Sequence, residues 1–228
     1  MGGNCHDSQR IFANFAERGI LQRKKQIAMR TFILLSVLVF SSVFLLSCYD
    51  KGEQTSDFSN SDIQLITSGN ADQMMRVYNY FVYDDSLVLR KNSGNISDFN
   101  SYYLKLLMDR MYKTVMDPQH PGVGIAAPQV GINKRVIWVK RYDKAGAPFE
   151  CYLNSYITAY SDTVKLRSDG CLSIPGVSAS SWRAIWVDVS YDLPDGSHYS
   201  ERIVHEYTAH IFQHEIDHLN GTVFLDRL

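Results

Sequence analysis

The chain has 228 residues, of which 45% are hydrophobic and 21% charged, a balance that suits one folded globular unit and excludes a wholly disordered chain. With 23 basic against 24 acidic residues there is no overall positive field to draw in nucleic acid, so no nucleic-acid partner is expected and recognition must be local. Four cysteines, Cys5, Cys48, Cys151 and Cys171, are too few and too unevenly spaced for a disulfide-stapled scaffold.

The apolar residues are unevenly placed. Arg23, Lys24, Lys25 and Arg30 precede an uncharged run from Phe32 to Leu46, about 15 residues long, short of the ~20 that a membrane-spanning helix wants. A basic flank, a short apolar stretch and then small residues is the layout of a secretory signal peptide. The run closes on Leu45-Leu46-Ser47-Cys48, which resembles the lipobox of bacterial lipoproteins. That resemblance implies cleavage before Cys48, acylation of Cys48, and a protein anchored to a membrane on the periplasmic or outer-membrane side. An uncleaved signal anchor or a buried helix is the alternative, and only a non-functional leader would leave the protein in the cytoplasm. Met29-Arg30 opens a more compact leader than Met1 does, so translation is expected to begin at Met29. Residues 1–47 are read as leader. Residues 48–70 are read as a polar tether, because Tyr49 to Ser68 is rich in Asp, Ser, Asn and Gln with little to bury.

The globular pattern is expected over residues 71–228. Tyr103, Leu104, Leu107, Met108, Met111 and Val115 recur at helical spacing, which predicts a helix over Tyr102 to Met116, capped by Asn100 or Ser101 and stopped at Asp117-Pro118. Its methionines read as core. Lys134 to Lys140, Phe149 to Leu153, Val164 to Leu166 and Trp182 to Tyr191 read as strands, the last alternating at Ile185, Val187, Val189 and Tyr191. Asp195-Gly196 turns the chain into a further strand over His198 to Val204. Glu206 to Asn220 is the last long helix, ended by Gly221. Strands held between helices, with a hairpin-rich middle, indicate an α+β fold.

The chemistry concentrates in that last helix. His214-Glu215-Ile216-Asp217-His218 is an HExxH motif, and a spacing of four is close to one helical turn, so both imidazoles project from one face toward a common point. A divalent metal suits that geometry, and Glu215 stands where it can hold and deprotonate a water. A catalytic centre wants a third protein ligand and an open position. Six residues after His218, where an extended metalloprotease motif would place a further His, the chain has Phe224, and downstream it offers only Asp226. His210 is one turn before His214, but three imidazoles in line along one helix cannot converge on a tetrahedral centre. His198 and His205 lack a partner motif and read as surface or packing residues. Cys171 is the best candidate, in Asp169-Gly170-Cys171-Leu172-Ser173, where glycine lets the backbone approach a site and a thiolate binds a borderline metal firmly. The loop Gly122-Val123-Gly124-Ile125-Ala126-Ala127-Pro128-Gln129 matches no phosphate loop, and its small residues permit a peptide-like ligand to lie against the backbone. Cys151, with no obvious partner, is expected to be a buried free thiol.

Taken in order, GVGIAAPQ, DGCLS and QHEIDH resemble the three signature motifs of the peptide deformylases, and YDDSLVLRK, beginning at Tyr83, is similar to an early segment of that family. The resemblance implies antiparallel or mixed sheets around a central HExxH helix. It implies removal of the formyl group from N-formylmethionyl peptides by one divalent metal, Fe(II), with Zn, Ni or Co able to substitute. The implied metal ligands are Cys171, His214 and His218, with Glu215 as general acid and base. Gln129 and the backbone N–H of Leu172 would stabilise the oxyanion, and Gly124 would pair with the substrate backbone. Val123, Leu172 and His210 would lie near the side-chain pocket, His210 lining it rather than ligating. A monomer is expected, with the membrane met through the lipid anchor or signal segment. Two rival readings stay open on the residues alone: a zinc metalloprotease, favoured by HExxH, and a peptide-binding lipoprotein that has lost turnover.

Two departures from the family pattern matter. The residue before Gly170 is Asp169, where the family has Glu. Its pair with Arg183 is expected to survive through a small backbone adjustment or a bridging water; a broken pair would loosen the Cys171 loop. The second departure is the address, since formylated nascent chains emerge in the cytoplasm while this leader directs export.

Overall fold

A computed structural model describes residues 56–228. The proposed leader, the start at Met29 and the lipid site at Cys48 lie outside the described residues. The tether expected through residue 70 does not extend through the described part, because the chain is folded from Ser56 onward. Helix α1 (Asn60–Ile66) is closed at its start by a reciprocal capping box, in which Asp62 N–H donates to Ser59 Oγ (3.2 Å) and Ser59 N–H to Asp62 Oδ2 (2.9 Å). Phe58 and Ile66 are buried in the same core as Leu104, Leu107 and Met111. The end of α1 is satisfied from far along the chain: buried Arg110 donates to the carbonyls of Leu65 (3.1 Å) and Ile66 (2.8 Å), which completes carbonyls a helix end leaves open. The polar composition of this segment hid four apolar side chains, Phe58, Ile63, Leu65 and Ile66, that pack inward.

Helix α2 spans Tyr83–Leu89 and α3 spans Tyr102–Val115. Ser101 caps α3, accepting from Leu104 N–H (3.5 Å), and Met111 lies in the core as expected. Seven strands follow: β1 (Gly124–Ala126), β2 (Val136–Lys140), β3 (Phe149–Tyr160), β4 (Val164–Cys171), β5 (Ile174–Ala184), β6 (Val187–Asp192) and β7 (His198–Ile203). They form a five-stranded sheet in the order β1-β2-β3-β6-β7 and a two-stranded β4-β5 sheet, with every named pair antiparallel. Helix α4 (Glu206–Leu219) packs on the larger sheet through Ala209, Phe212, Ile216 and Leu219, and a 3-10 turn at Phe224–Arg227 ends the chain.

One strand expectation fails. Trp182 to Tyr191 is two strands in two sheets, because the chain leaves β5 at Ala184 and enters β6 at Val187. The step is held by Ser161, whose Oγ accepts from the N–H groups of Ile185 (2.9 Å) and Trp186 (3.4 Å). Strand β3 runs well past Leu153, carried around an irregularity where Asn154 takes φ 50°. Cys151 on β3 is a buried free thiol, and its burial pushes the thiol well above its ordinary range.

Candidate active site

Three elements meet at one place. Strand β4 delivers Asp169 and Cys171 at its end, where its register with β5 shifts between Gly170 and Cys171. Helix α4 delivers His210, His214, Glu215 and His218 from consecutive turns, all nearly buried. Strand β1 and the 3-10 turn after it, Ala127–Val130, deliver Gly124 and Gln129. Of the two histidines set aside as packing residues, His205 caps α4, its Nδ1 accepting from Thr208 N–H (3.3 Å), and His198 pairs with Asp192 (2.6 Å) on the β6-β7 hairpin.

The ligand atoms of Cys171, His214 and His218 all lie within 4.8 Å of one another, the one such metal-ready group among the described residues. Cys171 Sγ is 3.2 Å from His218 Nε2. It also receives the Gln129 side-chain amide (3.4 Å) and the Ser173 backbone N–H (3.4 Å). Burial alone would raise the thiol, but the imidazoles of His218 and His214 beside it bring it down to about 5, so sulfur is a thiolate at neutral pH. His214 Nδ1 donates to Asp169 Oδ1 (2.8 Å), which leaves Nε2 as the free nitrogen of that ring. A thiolate and two imidazoles, one oriented by a carboxylate, fit a divalent transition metal.

Asp169 does more than the sequence suggested. Its pair with Arg183 is direct, Nη2 to Oδ2 at 3.0 Å, with Ser181 Oγ donating to the same oxygen at 2.8 Å. Burial opposes the charge, yet hydrogen bonds from His210 and His214 hold this carboxyl far below the usual carboxylate range. Arg183 continues to Asp217 (2.5 Å), and Asp217 to Arg227 of the C-terminal turn (2.7 Å). His210 is not part of the ligand group; its Nε2 lies 3.4 Å from Asp169 Oδ1.

Glu215 is 3% exposed, its Oε2 has no hydrogen-bond partner among the described residues, and burial pushes its carboxyl up to about 7. It packs so tightly over β1 that a Cβ at Gly124 would come within 2.4 Å of Glu215 Oε1. Gln129 is buried and fixed from behind, its Oε1 accepting from Ala126 N–H (2.8 Å), so its amide nitrogen is aimed at Cys171. These groups open on a cavity of about 700 Å³, whose wall includes Cys171, Leu172, His214, Glu215, Gln129 and Gly124. Val123 and His210 also line it. The sequence reading missed Tyr207 in this wall, although it stands seven residues before His214 and so shares its face of α4. It also missed Met74 and Met75, which sit just after the stretch read as tether and carried no signal of their own.

Comparisons with known proteins point to one family. The family model described as polypeptide deformylase matches residues 77–228. A peptide deformylase of Synechocystis is 37% identical over 142 residues, covering 62% of this chain and 74% of the relative. One from Thermotoga maritima is 34% identical over 152 residues, covering 67% of this chain and 87% of the relative. Among solved structures, a class I type b peptide deformylase from Acinetobacter baumannii with Met-Ala-Ser bound superposes with a TM-score of 0.60 at 33% identity, over 69% of this chain and 99% of that one. The Thermotoga maritima peptide deformylase structure gives 0.60 at 33% identity, over 68% and 98%.

Proposed function

The chain belongs to the peptide deformylase family, hydrolases that remove the formyl group from N-formylmethionyl peptides, and on that premise we propose which of its residues carry the reaction. The observation that carries the assignment is the convergence of Cys171, His214 and His218 beside a cavity that also exposes Glu215 and Gln129. Those three ligands would hold one divalent metal, Fe(II) by family resemblance and replaceable by Zn, Ni or Co, which when bound supplies Lewis acidity and lowers the pKa of water toward ~7.

The remaining work falls to the chain's own groups. Glu215, with its carboxyl near 7, is matched to taking a proton from water and returning it to the departing amine. The Gln129 amide and the Leu172 backbone N–H are the donors for the oxygen of the formyl group, where negative charge develops. Among the described residues strand β1 is the edge of its sheet, bonded to β2 on one side only, and Gly124 lies in the cavity wall. A peptide can therefore add to that edge in strand fashion, with its formyl end toward Cys171. The Met-Ala-Ser held by the Acinetobacter relative supports a short peptide as the ligand. Val123 and His210 then flank the first side chain.

The leader and Cys48 support a further reading: the protein is an exported, membrane-anchored lipoprotein that acts, as a monomer, on formyl peptides outside the cytoplasm. Incorporation of labelled fatty acid into the full chain, lost in Cys48→Ser, is the expected outcome, and labelling unchanged by that substitution would overturn it. For the chemistry, the Fe(II)-loaded chain, kept anaerobic, is expected to release formate from formyl-Met-Ala-Ser. A well-folded, metal-loaded protein that releases none, or a Glu215→Ala variant with full activity, would refute these roles.

A further inference from the structure

Strand β1 lies between two apolar layers. Ile125 packs in one core with Val115 of α3 and with Met75, whereas Ala126 packs in the other with Ala209 and Ile211 of α4. A peptide added to the edge of β1 follows the same alternation, successive side chains pointing to opposite faces. With its first side chain flanked by Val123 and His210 on the α4 side, its second points to the α3 side. There the cavity wall includes Leu172 and Met74. Leu172 is placed by α3: a Cβ at Gly122 would meet Val115 Cγ2 at 2.9 Å and Leu172 Cδ1 at 3.2 Å. Met74 precedes the part of the chain that the family model matches, which begins at residue 77. A lone exposed methionine means little, but this one is held from both sides. Buried Arg110 donates from Nε to the Gln73 carbonyl (3.1 Å) and from Nη2 to the Met74 carbonyl (3.3 Å). The Met75 N–H donates to Thr114 Oγ1 (2.8 Å), and Met75 is buried in the α3-side core. Further on, the Tyr78 N–H donates to the carbonyl of Gln129 (2.8 Å). The backbone at Met74 is thus fixed, while Met74 itself, in the cavity wall, is 52% exposed.

We propose that Met74 is a specificity residue for the second residue of the formyl peptide, giving the site a preference for a large apolar side chain there. The inference rests on reading the cavity as the formyl-peptide site. An apolar side chain laid on Met74 removes apolar surface of both partners from water, and covering roughly 50 Å² is worth about tenfold in binding. The fold has already ordered the Met74 backbone, so little of that gain is lost to ordering the wall. The unbranched thioether adapts its shape to differing apolar partners, so the preference is for a class of side chain rather than one residue. An asparagine of leucine's outline would instead set its amide against a group that is at most a weak acceptor.

The test compares kcat/KM for formyl-Met-Leu-Ser and formyl-Met-Asn-Ser on the full Fe(II)-loaded chain in detergent. The leucine-to-asparagine ratio is expected near tenfold (about fivefold or more) in the natural chain, to fall more than about twofold in Met74→Gln, and to hold within about twofold in Met74→Leu. Each ratio is taken within one preparation, so the fraction of active enzyme cancels. Met74 is half exposed, so neither substitution opens a cavity in the core. A natural ratio below about fivefold, a fall of less than about twofold in Met74→Gln, or an equal fall in Met74→Leu overturns the inference and leaves the formyl-peptide reading standing. Formate from neither peptide, nor from formyl-Met-Ala-Ser, overturns both.

Discussion

Replacing Asp169 by Asn tests whether this carboxylate, and not the three ligands alone, fixes the metal site. The change keeps the side chain's shape and removes its charge. In the natural protein Asp169 accepts from His214 (2.8 Å), Arg183 (3.0 Å) and Ser181 (2.8 Å) while 4% exposed. An amide has one acceptor oxygen for these three donors, so whichever way it faces, an N–H meets another donor. Removing one partner of a buried ion pair costs about 3–5 kcal/mol, but Arg183 keeps Asp217 at 2.5 Å, so a loss of about 2 kcal/mol in the metal-free protein is the expected size. His214 loses the acceptor that orients it, and metal affinity should fall ~10–100-fold. Chelator competition measures the affinity, and urea unfolding the stability. Affinity within about twofold of the natural protein would refute the orienting role. The pH dependence supplies a second check. The Asp169 carboxyl is held below its ordinary value of 3.8 in the folded state, so its contribution is complete above that pH and is lost on acidification below about 4. The Asn variant should lack that acid-driven loss. Asp169→Glu, which restores the residue usual in the family, is expected not to raise activity, because the contacts of Asp169 are already at hydrogen-bond distance. A many-fold rise would mean that the Cys171 loop is looser than these distances imply.

Glu215→Gln should cut formate release by about 10²–10⁴ and stabilise the metal-free protein. Burial raises this carboxyl from 4.5 to about 7, so the folded state binds the proton more tightly than the unfolded, and stability declines as pH rises through that window. At pH ~8 the uncharged amide should therefore gain about 2–3 kcal/mol by urea unfolding, and equal stability of the two proteins there would refute the buried charge. Gly124→Ala places a Cβ within 2.4 Å of Glu215 Oε1. It should lower kcat far more than it lowers the melting temperature, and a variant with natural kcat would show that Glu215 has freedom to retreat. Phe58→Ala should cost about 3–5 kcal/mol of stability, because Phe58 is 3% exposed in the core under α3. A change within about 0.5 kcal/mol would return this segment to the status of a tether.

What was legible in the sequence is what local rules govern. The spacing of His214 and His218 places both on one face of α4 whatever surrounds the helix, and Ser101 caps α3 from its own neighbourhood. What was not legible depends on partners far along the chain. Helix α1 needs Arg110, 44 residues beyond Ile66, to receive its carbonyls, so a window of Asp, Ser and Asn gave no warning of a buried face. The alternation from Ile185 to Tyr191 runs without a break through a change of sheet, and the only marker of the step is Ser161, some two dozen residues earlier. Tyr207 was within reach of helical spacing, whereas Met74 and Met75 enter the cavity wall only through the tertiary fold.

The shorter carboxylate at position 169 raises the question of how the family's site tolerates Asp for Glu. The answer lies in the backbone and in a row of alternating charges. Strand β4 shifts register between Gly170 and Cys171, and such an irregularity re-aims neighbouring side chains without lengthening them. On the other side Arg183 is not left to reach for Asp169 unaided: Asp217 holds it at 2.5 Å and Arg227 holds Asp217 at 2.7 Å. The charges of Arg227, Asp217, Arg183 and Asp169 alternate in sign from the C-terminal turn, and Asp169 then accepts from the imidazole of His214, on whose ring Phe224 stacks at 6.3 Å. Each buried charge in that row has an opposite neighbour, the condition under which burying it is tolerable. The last turn of the chain is thereby joined to the orientation of a ligand, and Asp169 reaches both His214 (2.8 Å) and Arg183 (3.0 Å) directly.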